Sequence, residues 1–273
     1  MTGIVVEPAV EVRDLHYTFG DTRAVDGVDL TVRRGEIFGL LGPNGAGKTT
    51  TIRAITALLP VPAGTISVFG LDVVKRRMSV RRLIGYVPQQ LSADASLSGV
   101  ENVSLFARLF DVPRRERKAK VTEALEMMGL TDAAGRLAKT YSGGMIRRLE
   151  LAQALVSSPR LLILDEPTIG LDPIARASVW DRIAAVRAET GMTVLLTTHY
   201  MEEAEQSCDR VGLMHRGRLG TLGTPRELID GLDLPDATLE DVFRAYSGGT
   251  LDDEGQKGIR DVRATRRTAG RLG

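Results

Sequence analysis

The chain has 273 residues, 36 Lys and Arg against 35 Asp and Glu, a formal net charge of +1 and one cysteine. That length suits one large domain or a domain with a small appendage, and the near-even charge points to neither nucleic acid nor an acidic partner. The lone Cys208 excludes an intrachain disulfide and fits a reducing compartment. Met1–Val12 lacks a signal peptide's basic segment and apolar core, and no run approaches the roughly 18 apolar residues that cross a bilayer. The expected location is cytoplasmic, with any membrane role borrowed from a partner.

Val10–Phe19 and Ala24–Val32 read as strands joined by a turn at Gly20-Asp21, an antiparallel flap beside a main sheet. Tyr17 and Phe19 lie on one face. Spacing alone favours core aromatics there, with stacking of a flat base by Phe19 as the alternative.

Ile37–Leu41 is an apolar run that predicts a buried strand, and Thr50–Leu58 is compatible with a helix. Between them stands Gly42-Pro43-Asn44-Gly45-Ala46-Gly47-Lys48-Thr49-Thr50, which fits the phosphate-cradling pattern G-x-x-x-x-G-K-[ST] in its required strand–loop–helix context. The glycines let successive backbone N–H groups turn onto an anion, Lys48 adds a positive charge, and the Thr49 hydroxyl can ligate Mg²⁺. A helix N-terminus adds a favourable dipole. These residues imply a nucleoside triphosphate ligand.

Thr65–Phe69 and Leu83–Val87 are short strand candidates, with Gln89 just past the second, at a strand end where α/β proteins bind ligands. Residues 98–157 then run helix after helix. Ser98-Gly99-Val100-Glu101 is a capping box before a stripe of Val103, Phe106, Ala107 and Phe110. Pro113 is expected to start the next helix, with Val121, Ala124, Leu125 and Met128 inward. The run Arg114–Lys120 reads as a solvated face. In Tyr141-Ser142-Gly143-Gly144-Met145, Ser142 is placed to cap a helix packed through Met145, Leu149, Ala152 and Val156. Gly143 and Gly144 bare first-turn amides that could meet an anion.

Leu161–Leu164 is unbroken apolar, as expected of a central parallel strand, and ends in Asp165-Glu166-Pro167. Adjacent carboxylates at a buried strand end need a cation or donors. Mg²⁺ bridging phosphates would supply the cation, with Glu166 placed to orient or deprotonate water. Asp172 caps the next helix with Pro173 at its first position, and Trp180 within it reads as packing. Thr193–Thr197 is another strand, and His199 follows at the same edge. His16 and His215 share no metal-ligand spacing with it and read as structural. Strands at Asp209–His215 and Arg218–Leu222, a helix capped by Thr224-Pro225-Arg226-Glu227, and an amphipathic helix at Thr238–Tyr246 complete the periodic part. From Gly248 the apolar period is lost and Arg260, Arg263, Arg266, Arg267 and Arg271 make the end basic, reading as a disordered tail or a contact for anionic lipid.

As a set these motifs resemble the ATP-binding subunits of ABC transporters over roughly residues 9–235. Walker A is Gly42–Thr49, the glutamine loop Gln89, the signature Tyr141–Met145, and Walker B Leu161–Asp165 followed by Glu166. The D-loop is Gly170-Leu171-Asp172, the switch histidine His199, and the base-stacking aromatic Phe19. The family's leucine and final glutamine in the signature are Tyr141 and Met145, and Ile169 replaces a common serine or threonine. That form, with Thr198–Glu205 and Leu239-Glu240-Asp241-Val242-Phe243, is similar to the daunorubicin-resistance branch of drug and polysaccharide exporters.

The resemblance implies an α/β fold: a P-loop NTPase sheet with an antiparallel β subdomain and a helical signature subdomain. It implies an ATP-binding domain over 4–235 (helical part about 90–157), a short helix at 236–248 and the basic tail 249–273. It also implies an ATPase coupled to export, working as a head-to-tail homodimer that sandwiches two ATP. Lys48 and the loop amides would hold the β- and γ-phosphates, and Thr49, Gln89 and Asp165 would place Mg²⁺. Glu166 would be the base and His199 would contact the γ-phosphate. Ser142, Gly143 and Gly144 of the signature would complete the opposite subunit's site, and Asp172 of the D-loop would also bind the nucleotide. The helix around Ser98–Phe110 would meet a separate membrane permease, placing the chain at the cytoplasmic face. A soluble ATPase of this family acting on ribosomes or DNA is the alternative class.

Overall fold

The strands β3 (Ile37–Leu41), β7 (Leu161–Asp165) and β8 (Thr193–Thr198) have no solvent-facing position, so each belongs inside a sheet covered on both sides. The computed structural model describes residues 7–232 and 234–248. In it these strands form the middle of a six-stranded sheet with β6 (Ile84–Val87), β9 (Arg210–His215) and β10 (Arg218–Gly223), ordered β10-β9-β3-β8-β7-β6. All pairings are parallel except β10 with β9.

Successive side chains on a strand face opposite ways, and the molecule divides its core accordingly. Phe38, Leu40, Leu161, Ile163 and Leu195 enter one core, whereas Ile37, Leu41, Leu162, Leu164, Val194 and Leu196 enter the other. The first is covered by α1 (Lys48–Ile55) and by an antiparallel sheet of β1 (Val10–Phe19), β2 (Thr22–Val32), β4 (Ile66–Val68) and β5 (Leu71–Asp72), ordered β2-β1-β4-β5. The second is covered by α3 (Gly99–Leu109), α4 (Arg117–Met127), α5 (Gly143–Leu155), α6 (Pro173–Thr190) and α9 (Leu239–Ser247), with α7 (Met201–Ser207) at the strand ends. Cys208 is buried beside Gly39, and burial pushes its thiol well above the ordinary range.

The expected flap is present, with Phe19 opposite Thr22 across the turn. Ser98 and Thr224 cap their helices with full capping boxes, and Thr224 starts α8 (Pro225–Asp230). Several boundaries differ. The helix expected over Thr50–Leu58 starts two residues earlier and stops at Ile55, because Ala57 takes a left-handed φ of 55°. Thr65–Phe69 shrinks to β4 as Phe69 turns at φ 46°. Pro113 does not open α4: the amides of Glu116 and Arg117 both bond its carbonyl, making a turn of their own, and the helix begins at Arg117. A short helix α2 (Arg77–Arg81) and β5 carry too little periodicity to be seen in sequence.

The largest difference concerns α5. One inward stripe is expected, yet Arg147, Leu149, Glu150, Leu151, Ala152, Gln153, Ala154 and Leu155 are all buried. The helix is enclosed by α3, α4, α6 and β6, so its polar positions find partners inside the protein. Against the core expectation, Phe19 is 48% exposed, touching Tyr17 edge-on at 4.9 Å. At the end of the described chain, α9 buries Leu239, Val242 and Phe243 and sets Phe243 edge-on to His215. The expectation for the basic tail falls on residues 249–273, outside the described residues.

Candidate active site

Strand register assembles the site. Leu41 pairs with Thr198, Asp165 with Thr197, and Val87 with Leu164. The residues that follow, Gly42, His199, Glu166 and Gln89, therefore leave one edge of the sheet, the carboxyl ends where open α/β sheets bind ligands.

The loop of residues 42–47 turns back over this edge. Gly42 (φ 153°) and Gly47 (φ 104°) are required there twice over: a Cβ on Gly42 would lie 2.1 Å from the Met214 carbonyl oxygen, and one on Gly47 2.5 Å from that of Ala24. The loop thus presses directly on β9 and β2, while Asn44 and Gly45 are exposed, Pro43 and Gly47 half-buried and Ala46 buried. Lys48 is buried and donates to the carbonyls of Gly42 (2.6 Å) and Pro43 (3.1 Å), so its ammonium is held across the loop mouth. Thr49 and Thr50 are half-buried in the first turn of α1.

Glu166 closes the other side. Its Oε1 lies 3.2 Å from Lys48 Nζ and its Oε2 2.8 Å from His199 Nδ1. Burial pushes this carboxyl up, but the His199 hydrogen bond and the Lys48 charge outweigh it, leaving the pKa below the ordinary carboxylate value. Glu166 also sits at a left-handed φ of 52°, with its amide donating to both the Thr197 carbonyl (3.1 Å) and hydroxyl (3.0 Å). Such a backbone persists only where the surroundings fix it. Asp165 accepts from the hydroxyls of Thr49 at 3.1 Å and Thr197 at 2.6 Å.

Thr197 was not singled out in the sequence, where it is one of three threonines in β8; only the β7–β8 register lets its hydroxyl donate to the Asp165 carboxylate while accepting from the Glu166 amide. The Arg147–Glu150 pair and Glu203 were also missed. Glu203 is buried and accepts from Thr168 (2.7 Å) and Trp180 (3.0 Å), giving Trp180 a polar partner as well as a packing role.

Other expected residues stand apart. Gln89 is exposed and makes no hydrogen bond among the described residues. Asp172 caps α6 through the Ala175 amide at 2.9 Å. Ser142 caps α5 through the Met145 amide at 3.3 Å, and Ser142 and Gly143 are exposed. No hydrogen bond or ion pair among the described residues joins Ser142, Gly143 or Gly144 to the loop at 42–49. A Cβ on Gly144 would lie 2.9 Å from that of Ala175, so this end of α5 packs against the start of α6. Tyr141 is buried and donates to the Ala133 carbonyl at 2.7 Å, which accounts for an aromatic where a leucine is usual.

A parallel sheet with a glycine loop at its carboxyl edge, a buried lysine across the loop mouth and a carboxylate pair beside it defines a P-loop nucleoside triphosphatase. Residues 25–169 match the ABC transporter family. Over 224 residues the chain is 46% identical to the daunorubicin/doxorubicin resistance ATP-binding protein DrrA of Streptomyces peucetius, spanning 82% of this chain and 68% of that protein. Over 250 residues it is 43% identical to Nod factor export ATP-binding protein I of Burkholderia lata, spanning 88% and 82%. A solved ATP-binding subunit of an ABC transporter superposes with a TM-score of 0.77 at 29% identity, over 88% of this chain and 99% of that one. The chain belongs to the ABC transporter family as an ATP-binding, ATP-hydrolysing subunit that works with a separate membrane component. Among the described residues, no helix is long and apolar enough to cross a membrane.

Proposed function

We propose that this ATPase energises export of a lipophilic drug, antibiotic or similar compound through a separate permease, from the cytoplasmic face of the membrane, as a homodimer enclosing two ATP. The convergence of Lys48, Thr49, Asp165, Glu166 and His199 in one set of contacts carries the reading of the site. The names of the relatives, a daunorubicin/doxorubicin resistance protein and a Nod factor export protein, support export over action on ribosomes or DNA.

Phe19, half-exposed at the turn between β1 and β2, stacks the base. The backbone from Gly42 through Pro43, Asn44, Gly45, Ala46, Gly47, Lys48, Thr49 and Thr50 wraps the phosphates, and Lys48 turns its ammonium from Glu166 to the β- and γ-phosphate oxygens. A magnesium ion fits the donors present: the Thr49 hydroxyl and Asp165 carboxylate are hard oxygen ligands already side by side, with Gln89 as a third. Held by these residues, the ion would supply positive charge to offset that of the phosphate oxygens. Glu166, kept ionised, takes a proton from water as the water oxygen attacks the γ-phosphorus and the bond to the β–γ bridging oxygen breaks. His199 holds the γ-phosphate on the far side. Ser142, Gly143 and Gly144 of a second copy, with its Asp172 alongside, complete the enclosure with helix-end amides. Catalysis is then chiefly positioning and charge stabilisation.

Mixing two inactive chains tests this. Glu166→Gln and Ser142→Arg each disable every site of their own homodimer. In a mixed dimer, one site pairs the intact Glu166 of one chain with the intact Ser142 of the other. Mixing is expected to restore part of the phosphate release; a mixture as inactive as its components would overturn the two-chain site.

A further inference from the structure

Arg147 and Glu150 lie three residues apart on α5, both 2% exposed and 3.0 Å apart. Their contacts leave the helix in two directions. Arg147 Nη1 also donates to the Pro88 carbonyl at 3.0 Å, and its Nη2 donates to the Glu166 carbonyl at 3.1 Å. The other oxygen of Glu150 accepts from the Ser92 backbone N–H and, at 3.2 Å, from the Ser92 hydroxyl. Pro88 and Ser92 flank Gln89, so one ion pair grips both sides of the glutamine loop and the backbone of Glu166.

A buried ion pair gives little stability compared with apolar side chains of similar volume; its well-attested use is to specify geometry. The geometry specified here is unusual. The Glu166 backbone is left-handed, its amide fixed by Thr197 and its carbonyl by Arg147. The guanidinium reaches these acceptors from two nitrogens fixed in one plane, Nη1 serving Pro88 and Glu150 and Nη2 serving Glu166; a lysine keeps the charge and three donors but places them on a single rotatable nitrogen.

We infer that the Arg147–Glu150 pair is a positioning clamp through which the signature helix α5 sets the placement of Gln89 and Glu166. This rests on the proposed roles of those two residues. Any displacement of α5 relative to the sheet is thereby imposed on the loop and on the base together.

The test uses the full chain with Arg147→Met/Glu150→Leu, and separately Arg147→Lys. Both variants are expected to bind ATP within about threefold of the parent while kcat falls between about ten- and a hundredfold, the range a small misplacement produces. The double variant is expected to melt no lower than the parent. Variants that melt and turn over like the parent would show a pair that only fills α5, and the clamp would be wrong. Should neither variant fold, amide hydrogen exchange of the parent chain decides. Ser92 is expected to exchange more slowly than Gln90 and Leu91, whose amides have no hydrogen bond among the described residues, and equal rates overturn the clamp. Parent-like turnover by Glu166→Gln would remove the proposed site itself; an inactive Glu166→Gln beside an unaffected double variant would remove the clamp alone.

Discussion

Two helices of this protein begin with exposed or glycine-bared amides, and their surroundings could hardly differ more. At the start of α1, Lys48 contacts Glu166, which also contacts His199, and Thr49 contacts Asp165, so the helix start meets groups from the ends of β7 and β8. The start of α5 has only its own cap, Ser142, and the packing of Gly144 on Ala175. An anion at the first place meets a cation, a base and a hydroxyl. At the second it meets amides and one serine. The first can organise a reaction, whereas the second can enclose one organised elsewhere, which is why we place it over a neighbouring copy.

The sharpest way to break the comparison is Glu166→Gln. If the base belongs to the α1 side, phosphate release falls by about 10²–10⁴-fold while ATP binding survives and the ATP-bound dimer accumulates. Chromatography with bound nucleotide checks the second point. Ser142→Arg addresses the α5 side: nucleotide binding to the single chain is expected to be unchanged and hydrolysis lost. Normal hydrolysis in that variant would leave α5 without a part in the reaction.

A smaller effect is expected at Thr197, whose hydroxyl serves both Asp165 and the Glu166 amide. Thr197→Val keeps the volume and removes the hydroxyl, costing about 1–3 kcal/mol for the buried partner left short, read from denaturant unfolding. An equivalent change at Thr140, in an exposed hydrogen bond near α5, should cost less.

Phe19→Ala tests the edge of the site. Loss of a stacked base costs about 1–3 kcal/mol, seen as weaker ATP binding, with kcat and melting temperature little changed because the ring is half-exposed. Unchanged affinity would return Phe19 to a surface residue.

The smallest effect concerns pH. The Glu166 carboxyl has a folded-state pKa below its ordinary value, so it contributes stability fully above the ordinary carboxylate pKa and loses it as pH falls through the depressed one. The stability of the parent relative to Glu166→Gln should therefore decline on acidification below about pH 4.5. A difference constant through that range would mean that His199 and Lys48 do not hold the carboxylate ionised.

Much of this protein could be read from its residues because strong local rules coincide with function. The glycine loop between a buried strand and a helix, the carboxylates closing an apolar run, and the Ser98, Ser142, Asp172 and Thr224 caps each depend on neighbours within a few positions. The family resemblance drew on the same local motifs. What could not be read was how α5 would be surrounded: its stripe predicts one buried side, and enclosure by four elements buries Arg147, Glu150 and Gln153 as well.

By itself the sequence determined that triphosphate chemistry sits at strand ends, since phosphate binding needs those residue types in consecutive positions. It also placed a buried central strand at Leu161–Leu164, through an unbroken apolar run, and an antiparallel flap ahead of the phosphate loop. Only the tertiary structure decided that Gly42 and Gly47 must stay glycine for the sake of Met214 and Ala24. It likewise decided that Thr197 supports both carboxylate residues, and that one arginine on α5 grips loops 59 and 19 residues away along the chain. These depend on register and on helix placement, and no local stretch of chain encodes a distance between elements that meet only when the cores on both faces of the sheet have packed.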